Sequence, residues 1–419
     1  MVSTSYPRNC EDHAGHFIAA LAGELNRYEP ITVLAPDHPA VDGFNTHPDI
    51  TIRRFRWIGW QSRTSLAYGD GMIENLRLHT RIALRIPGFI RAMQHELIDL
   101  LTEMDTTTPI TVVSHWILPT SLCCHSIINR SFPVSHLSVI HGSDLFLLSK
   151  FPHFFRQQCI RLLQTHPHRI AVIAPEMKHR LIAATPRCNP DRIDVLPMGV
   201  PVETVSVPGT GVHCEINDRS VQQKPDTKRN GLHVLFMGRL IPIKGADLVI
   251  RACTHLPQVT VHLAGDGPDR SNLETLASNL GVLCRFHGMV SGAAKRAIIC
   301  TADLWVVPSR VTSSGQRDGL PTVILEAWAA GIPVIVSDSV AGEEILSDGV
   351  NCLKVSSGSV ESIRRGIHQM LYHPETADFL RRNGAFTVRR FAWPAIGNLW
   401  YTSILRQRET LGDGIGEGP

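Results

Sequence analysis

Gly315-Gln316-Arg317-Asp318-Gly319-Leu320-Pro321-Thr322-Val323-Ile324-Leu325-Glu326-Ala327-Trp328-Ala329-Ala330-Gly331-Ile332-Pro333-Val334-Ile335-Val336 passes from a polar loop into a short helix and then into a buried strand. Pro321 is predicted at the first helical position, where its missing N–H costs nothing. The N–H groups of Gly319, Leu320, Thr322 and Val323 are then open at the helix end, and such an end attracts anions. Asp318 and Glu326 stand eight positions apart around it, and carboxylates accept hydrogen bonds from hydroxyls. One ligand carrying both phosphate and hydroxyl groups fits this arrangement.

The same unit recurs outward along the chain. Phe17–Asn26 has a helical pattern, and strands are predicted over Ile31–Ala35, Ile110–Ser114, His136–Ile140, Ile170–Ala174 and Ile193–Pro197. The pattern restarts with strands over Val234–Met237, Val259–Ala264, Cys284–His287, Leu304–Val307 and Val334–Ser337. Strands alternating with helices indicate an α/β fold, with a mainly parallel sheet covered by helices. Residues 206–231 are rich in Pro, Gly, Asn, Asp and Lys and have no hydrophobic period, so they read as a linker or mobile loop. The expectation is two Rossmann-like domains facing across a central cleft, with ligands at the carboxyl ends of strands. The first would cover 1–205 and the second 232–390; a helix over 391–411 would return to the first, and 412–419 would be a disordered tail. The first strand is expected to be very short, since Met1 lies only a few residues from the Tyr6-Pro7-Arg8 loop.

Composition narrows the function classes. A chain of 419 residues suggests two or three domains. A net charge of +3 does not call for a nucleic-acid partner. The 21 histidines are scattered without an HExxH motif, and the ten cysteines have no CxxC spacing. That usage fits reduced thiols in a cytosolic protein. Met1-Val2-Ser3-Thr4-Ser5 has no signal-peptide character, and no apolar run of about 18 residues is present. A cytoplasmic protein is predicted, with the inner membrane face as an alternative location.

Phe236-Met237-Gly238-Arg239-Leu240-Ile241-Pro242-Ile243-Lys244-Gly245 follows a strand and precedes a helix. Arg239 as a fork and Lys244 as a point charge could converge on one anion, or they could belong to a solvated basic loop. Taken with Leu263-Ala264-Gly265-Asp266-Gly267-Pro268, Phe286-His287-Gly288-Met289-Val290 and the Asp318/Glu326 pair, this loop resembles the GT-B glycosyltransferases of family 4. His141-Gly142-Ser143-Asp144-Leu145, Leu196-Pro197-Met198-Gly199-Val200 and Arg390-Phe391-Ala392-Trp393 extend the resemblance over nearly the whole chain. Each piece is weak by itself; the second-half set is specific in combination.

The resemblance implies residue roles. Arg239 and Lys244 would neutralise a donor diphosphate beside the helix end formed by Gly319, Leu320, Pro321, Thr322 and Val323. Glu326 would hold the ribose, and the backbone from His287 to Met289 would meet the nucleobase. Asp318 would meet the transferred sugar, although the family usually has Glu there. His141 would sit beside that sugar, positioning it or sharing its developing charge. Asp144 reads as a cap for the following helix. Where the family often has Gly-Gly, this chain has Asp12-His13-Ala14-Gly15-His16. Gly15 could still bring its backbone to a diphosphate, and His13 and His16 are acceptor-side candidates.

Arg53, Arg54, Arg56, Trp57, Trp60, Arg63, Arg77, Arg81, Arg85 and Arg91 make a basic, partly aromatic stretch. It reads either as peripheral contact with an anionic membrane or a lipid-linked or phosphorylated acceptor, or as a solvated face over core aromatics. The activity implied by the resemblance is retaining transfer of a sugar from a nucleotide-diphosphate sugar to a hydroxyl of a glycan or lipid-linked acceptor in envelope polysaccharide or glycolipid synthesis. It implies no cofactor and no metal, and the chain has no Asp-x-Asp motif. A GT-B-like nucleotide-sugar epimerase and a non-catalytic sugar-binding partner subunit stay open as alternatives.

Overall fold

The computed structural model describes residues 1–9, 12, 15–43, 47–57, 68, 80–104, 108–131, 134–165, 167–202, 231–311 and 321–413. The chain divides into two compact units, Met1–Gly199 with Trp393–Pro419, and Val200–Ala392.

In the first unit, strands β1 (Thr32–Pro36), β2 (Thr51–Phe55), β3 (Thr111–His115), β4 (Ser135–Ile140), β5 (Arg169–Val172) and β6 (Ile193–Val195) all pair in parallel. The chain start completes the sheet. Val2 bridges Leu34 on one side and Ser114 on the other. Its N–H donates to Val113 O at 2.8 Å, and its carbonyl accepts from His115 N at 2.9 Å. The order is therefore β2-β1-Val2-β3-β4-β5-β6, reversing direction between Val2 and β3. The first strand is as short as the position of the Tyr6-Pro7-Arg8 loop predicts.

The long final helix, Trp393–Asp413, belongs to this unit. Trp400 is fully buried and donates its indole N–H to Pro197 O at 2.9 Å. Arg408 clasps Glu29 with two bonds of 2.6 and 2.8 Å, and Gln407 donates to His136 O at 2.7 Å. Bidentate guanidinium–carboxylate geometry fixes orientation as well as charge.

In the second unit, β7 (Leu232–Met237), β8 (Val259–Ala264), β9 (Cys284–Gly288), β10 (Leu304–Val307), β11 (Val334–Ser337) and β12 (Leu353–Val355) form a parallel sheet in the order β12-β11-β10-β7-β8-β9. The strand order reverses between β7 and β10. One face packs Val234, Phe236, Val261, Leu263 and Val306 against Val249, Leu273, Ile363 and Ile367 from flanking helices. Strands buried on both faces by crossover helices read as near-continuous apolar runs, which is why most were legible in the sequence.

The structure departs from expectation in places. β2 is Thr-Ile-Arg-Arg-Phe at the sheet edge, where its charges reach helical carboxylates, so no apolar run announced it. β12 is only three residues long. The unit boundary falls at Gly199/Val200, ahead of the 206–231 segment, because Val200 N–H donates to Phe391 O at 2.9 Å. Pro321 is the N-cap, with extended backbone (φ −67, ψ 129), one position before the helix that starts at Thr322. Linker residues 206–230 and tail residues 414–419 lie outside the described residues. Among the described residues, no helix is long and apolar enough to cross a membrane.

Candidate functional site

Open parallel sheets bind ligands outside the carboxyl ends of their strands, where the strand order reverses. In the second unit that point lies between β7 and β10, and Gly238–Gly245 emerges there. The loop is sewn to its neighbours: Gly238 N–H donates to Ala264 O at 2.9 Å, Leu240 N–H to Asp266 O at 2.9 Å, and Asp269 N–H to Leu240 O at 3.1 Å. Gly265 N–H donates to Gly288 O at 2.7 Å, so the turns after β7, β8 and β9 form one backbone lattice. From the other side, Arg310 N–H donates to Ile243 O at 2.8 Å, and its guanidinium reaches Asp247 at 2.6 Å.

Two glycines are required by this closeness. A Cβ on Gly265 (φ 135) would stand 1.9 Å from Gly238 O, and one on Gly245 (φ 72) would stand 2.3 Å from Pro308 O. No side chain fits such a gap.

The lattice carries the expected cations outward. Arg239 is exposed immediately after β7, with no carboxylate partner among the described residues; Lys244 is half-buried and ends the turn Pro242–Lys244. Met289 is 62% exposed, directly after the left-handed Gly288 (φ 67) that ends β9. Thr322 is exposed, and Pro321 and Val323 are half-buried at the start of their helix. Glu326 lies one turn further in, 2.6 Å from Lys295 Nζ. Sequence reasoning missed Lys295 because nothing in Gly292–Thr301 links it to a residue far along the chain. Asp318, Gly319 and Leu320 lie outside the described residues.

The first unit has its own reversal, between Val2 and β3. His141 directly follows β4 as the N-cap of the next helix, is 7% exposed, and shares a hydrogen bond of 3.1 Å with buried His115 (Nε2 to Nδ1). Burial lowers its pKa to about 3, so the ring is neutral at physiological pH. In that state it can orient a hydroxyl. Its ring packs against Phe17 (5.2 Å between centroids) and Trp116 (5.1 Å). Trp116 has φ 68, a left-handed conformation that is costly for a bulky residue.

Phe17 also brings the start of the first helix beside His141. Gly15 caps that helix at φ 75, where an added Cβ would meet Ser5 O at 2.6 Å. Its freedom is thus needed first for the chain's own backbone. His16 is exposed on the first turn, and His13 lies outside the described residues. Asp144 is not an N-cap. It sits in the first helical turn and accepts from Ile117 N–H at 3.0 Å, and burial raises its pKa to about 7.

The described part of the basic stretch is divided between paired and exposed residues. Arg53 pairs with Glu96 and Glu103, Arg54 donates to Pro7 O and Pro36 O, and Arg56 pairs with Asp37 at 3.0 Å. Trp57 lies in the core against Phe89. Arg53 and Arg54 are thereby tied to the unit itself, whereas Arg56, Arg81 and Arg91 are exposed. Trp60, Arg63 and Arg77 lie outside the described residues.

Residues 217–385 match the family of glycosyl transferases group 1. The chain is 36% identical over 176 residues to the lipopolysaccharide core biosynthesis glycosyltransferase LpsE of Rhizobium meliloti, covering 41% of this chain and 49% of that one. It is 31% identical over 185 residues to a GDP-mannose-dependent phosphatidylinositol monomannoside mannosyltransferase of Mycolicibacterium smegmatis, covering 42% and 47%. The chain thus spans about half the length of these curated relatives. In fold it is similar to Anabaena HepE, solved with UDP, with a TM-score of 0.69 at 15% identity over 97% of this chain and 98% of that one. The chain thus has two Rossmann-like units with the GT-B fold, and its match to the glycosyl transferases group 1 model is confined to residues 217–385.

Proposed function

We propose that this chain is a retaining, family 4 glycosyltransferase that moves a sugar from a nucleotide-diphosphate sugar to a hydroxyl of a glycan or lipid-linked acceptor. The observation that carries the reading is the loop Gly238–Gly245, tied by backbone hydrogen bonds at the strand-order reversal, with Arg239 exposed and Lys244 half-buried in the same loop. Preorganised cations and amides stabilise charge that develops on a departing diphosphate. The two relatives' roles in lipopolysaccharide core and phosphatidylinositol mannoside synthesis support a lipid-linked acceptor, and HepE's complexes with UDP and UDP-glucose support a nucleotide-sugar donor.

In this reading Arg239 and Lys244 neutralise the diphosphate, Glu326 accepts from the ribose hydroxyls, and Met289 lies along the nucleobase. The bond from the anomeric carbon to the phosphate oxygen breaks as the acceptor oxygen bonds to the same carbon from the same face. The acceptor proton passes to a diphosphate oxygen. Neutral His141 orients a sugar hydroxyl. The positive field comes from the chain's own residues, without a resident metal.

Calorimetric titration with UDP-, GDP- and ADP-sugars tests the donor. One nucleotide class should bind and raise the melting temperature. Lys244→Ala and Glu326→Ala should each weaken binding at least about tenfold, the loss of one charge-assisted hydrogen bond. Binding of no nucleotide sugar, or unaltered binding by both variants, refutes the reading.

A further inference from the structure

The helix His153–Leu163 has two unlike faces. Gln157, Cys159, Ile160 and Leu163 are buried against the first unit. On the opposite face Phe154 is 80% exposed, and Phe155 and Leu162 are 37% and 40% exposed. Phe151, in the turn just before the helix, stacks on Phe155 with centroids 4.8 Å apart and continues the stripe at 36% exposure. A contiguous patch of exposed aromatic and aliphatic side chains of this kind marks an interaction surface.

Charge says what kind of surface. From Leu145 to Pro175 the sequence contains no Asp or Glu, although the chain holds 38 acidic residues. Lys150 and Arg161 are both exposed at the two ends of the stripe. An apolar face framed by cations, on a segment whose own sequence carries no carboxylate, matches the interface of an anionic bilayer, where aromatic rings enter the acyl boundary while long cationic side chains stay at the headgroups. A protein-binding patch has no need to exclude every carboxylate over so long a stretch.

We propose that Phe151, Phe154, Phe155 and Leu162, framed by Lys150 and Arg161, form a peripheral docking face for an anionic lipid surface. The proposal does not depend on the donor chemistry, so the two fail separately.

Co-sedimentation of the full chain with vesicles tests it, comparing pure phosphatidylcholine with an equal mixture of phosphatidylcholine and phosphatidylglycerol at low and high salt. The chain should sediment with the mixed vesicles at low salt and stay in solution with the neutral ones. Phe154→Glu with Phe155→Ser, and separately Lys150→Glu with Arg161→Glu, should each reduce partitioning at least about tenfold. Phe154→Trp should preserve it. These side chains are exposed, so melting temperatures should hold, which separates lost docking from lost folding. Absence of sedimentation, equal sedimentation with both vesicle types, or undiminished sedimentation of either double variant overturns the proposal. So does a concentration-dependent dimer that the Phe154→Glu, Phe155→Ser change abolishes without vesicle binding, since the face would then serve a second copy of this chain.

Discussion

Lys295 Nζ stands 2.6 Å from Glu326 Oε2, joining the helix that follows β9 to the helix that follows Pro321. The side chains are 32% and 21% exposed, so water screens the pair only in part. Glu326 is thereby held in one orientation before any ligand arrives, and preorganisation of this kind lowers the ordering cost of binding.

Separating these two roles gives a first prediction. Lys295→Met should change stability by under ~1 kcal/mol, as partly exposed ion pairs do, while weakening donor binding a few-fold through lost orientation. Glu326→Gln should weaken it about tenfold, because the amide accepts hydroxyl bonds less strongly than the carboxylate. Calorimetric titration of both variants alongside thermal melts checks the order of the effects.

Backbone crowding gives a second. Gly265→Ala should cost more than ~3 kcal/mol and abolish donor binding, because its Cβ would lie 1.9 Å from Gly238 O and separate the turns after β7 and β8. Gly281 has a similar left-handed backbone (φ 63) but nothing within 4 Å of an added Cβ. Gly281→Ala should therefore cost only about 1 kcal/mol of conformational strain and leave binding intact. Urea denaturation of the two variants measures the gap.

Buried imidazoles give a third. His141 has its pKa lowered to about 3, and burial also holds His115 and His136 well below the usual imidazole range. In the unfolded chain these rings take up protons below about pH 6.5, whereas the folded protein does not, so their contribution is full above that pH and is lost as pH falls. Asp144, raised to about 7, opposes them: its contribution is present at low pH and lost as pH rises toward 7. Three imidazoles against one carboxyl leave a net loss of stability below pH 6.5. His141→Gln should flatten that slope by up to about 1.4 kcal/mol per pH unit. Denaturant titrations between neutral and mildly acidic pH give the slopes directly.

The final helix gives a fourth. Arg408→Ala leaves Glu29 without its bidentate partner and should cost about 1–2 kcal/mol. Trp400→Phe removes the buried donor to Pro197 O and part of a large ring, and should cost about 2–4 kcal/mol. Melting curves should show both losses, with donor affinity unchanged.

The sequence by itself determined the α/β alternation, most strands of both sheets, and the loops that carry Arg239, Lys244, Glu326 and His141. Apolar runs and glycine-bounded turns are local signals, set by side-chain burial and backbone sterics within a few residues. Only the tertiary structure decided which distant residues meet. Lys295 reaches Glu326, and His115 reaches His141. His233, His262 and His287, scattered in the sequence, form a hydrogen-bonded row at 2.9 and 3.0 Å across β7, β8 and β9. Arg53 and Arg54 met their partners within the unit for the same reason: a guanidinium shows its charge in the sequence, but its partner is chosen by strand order and register, which no local pattern encodes.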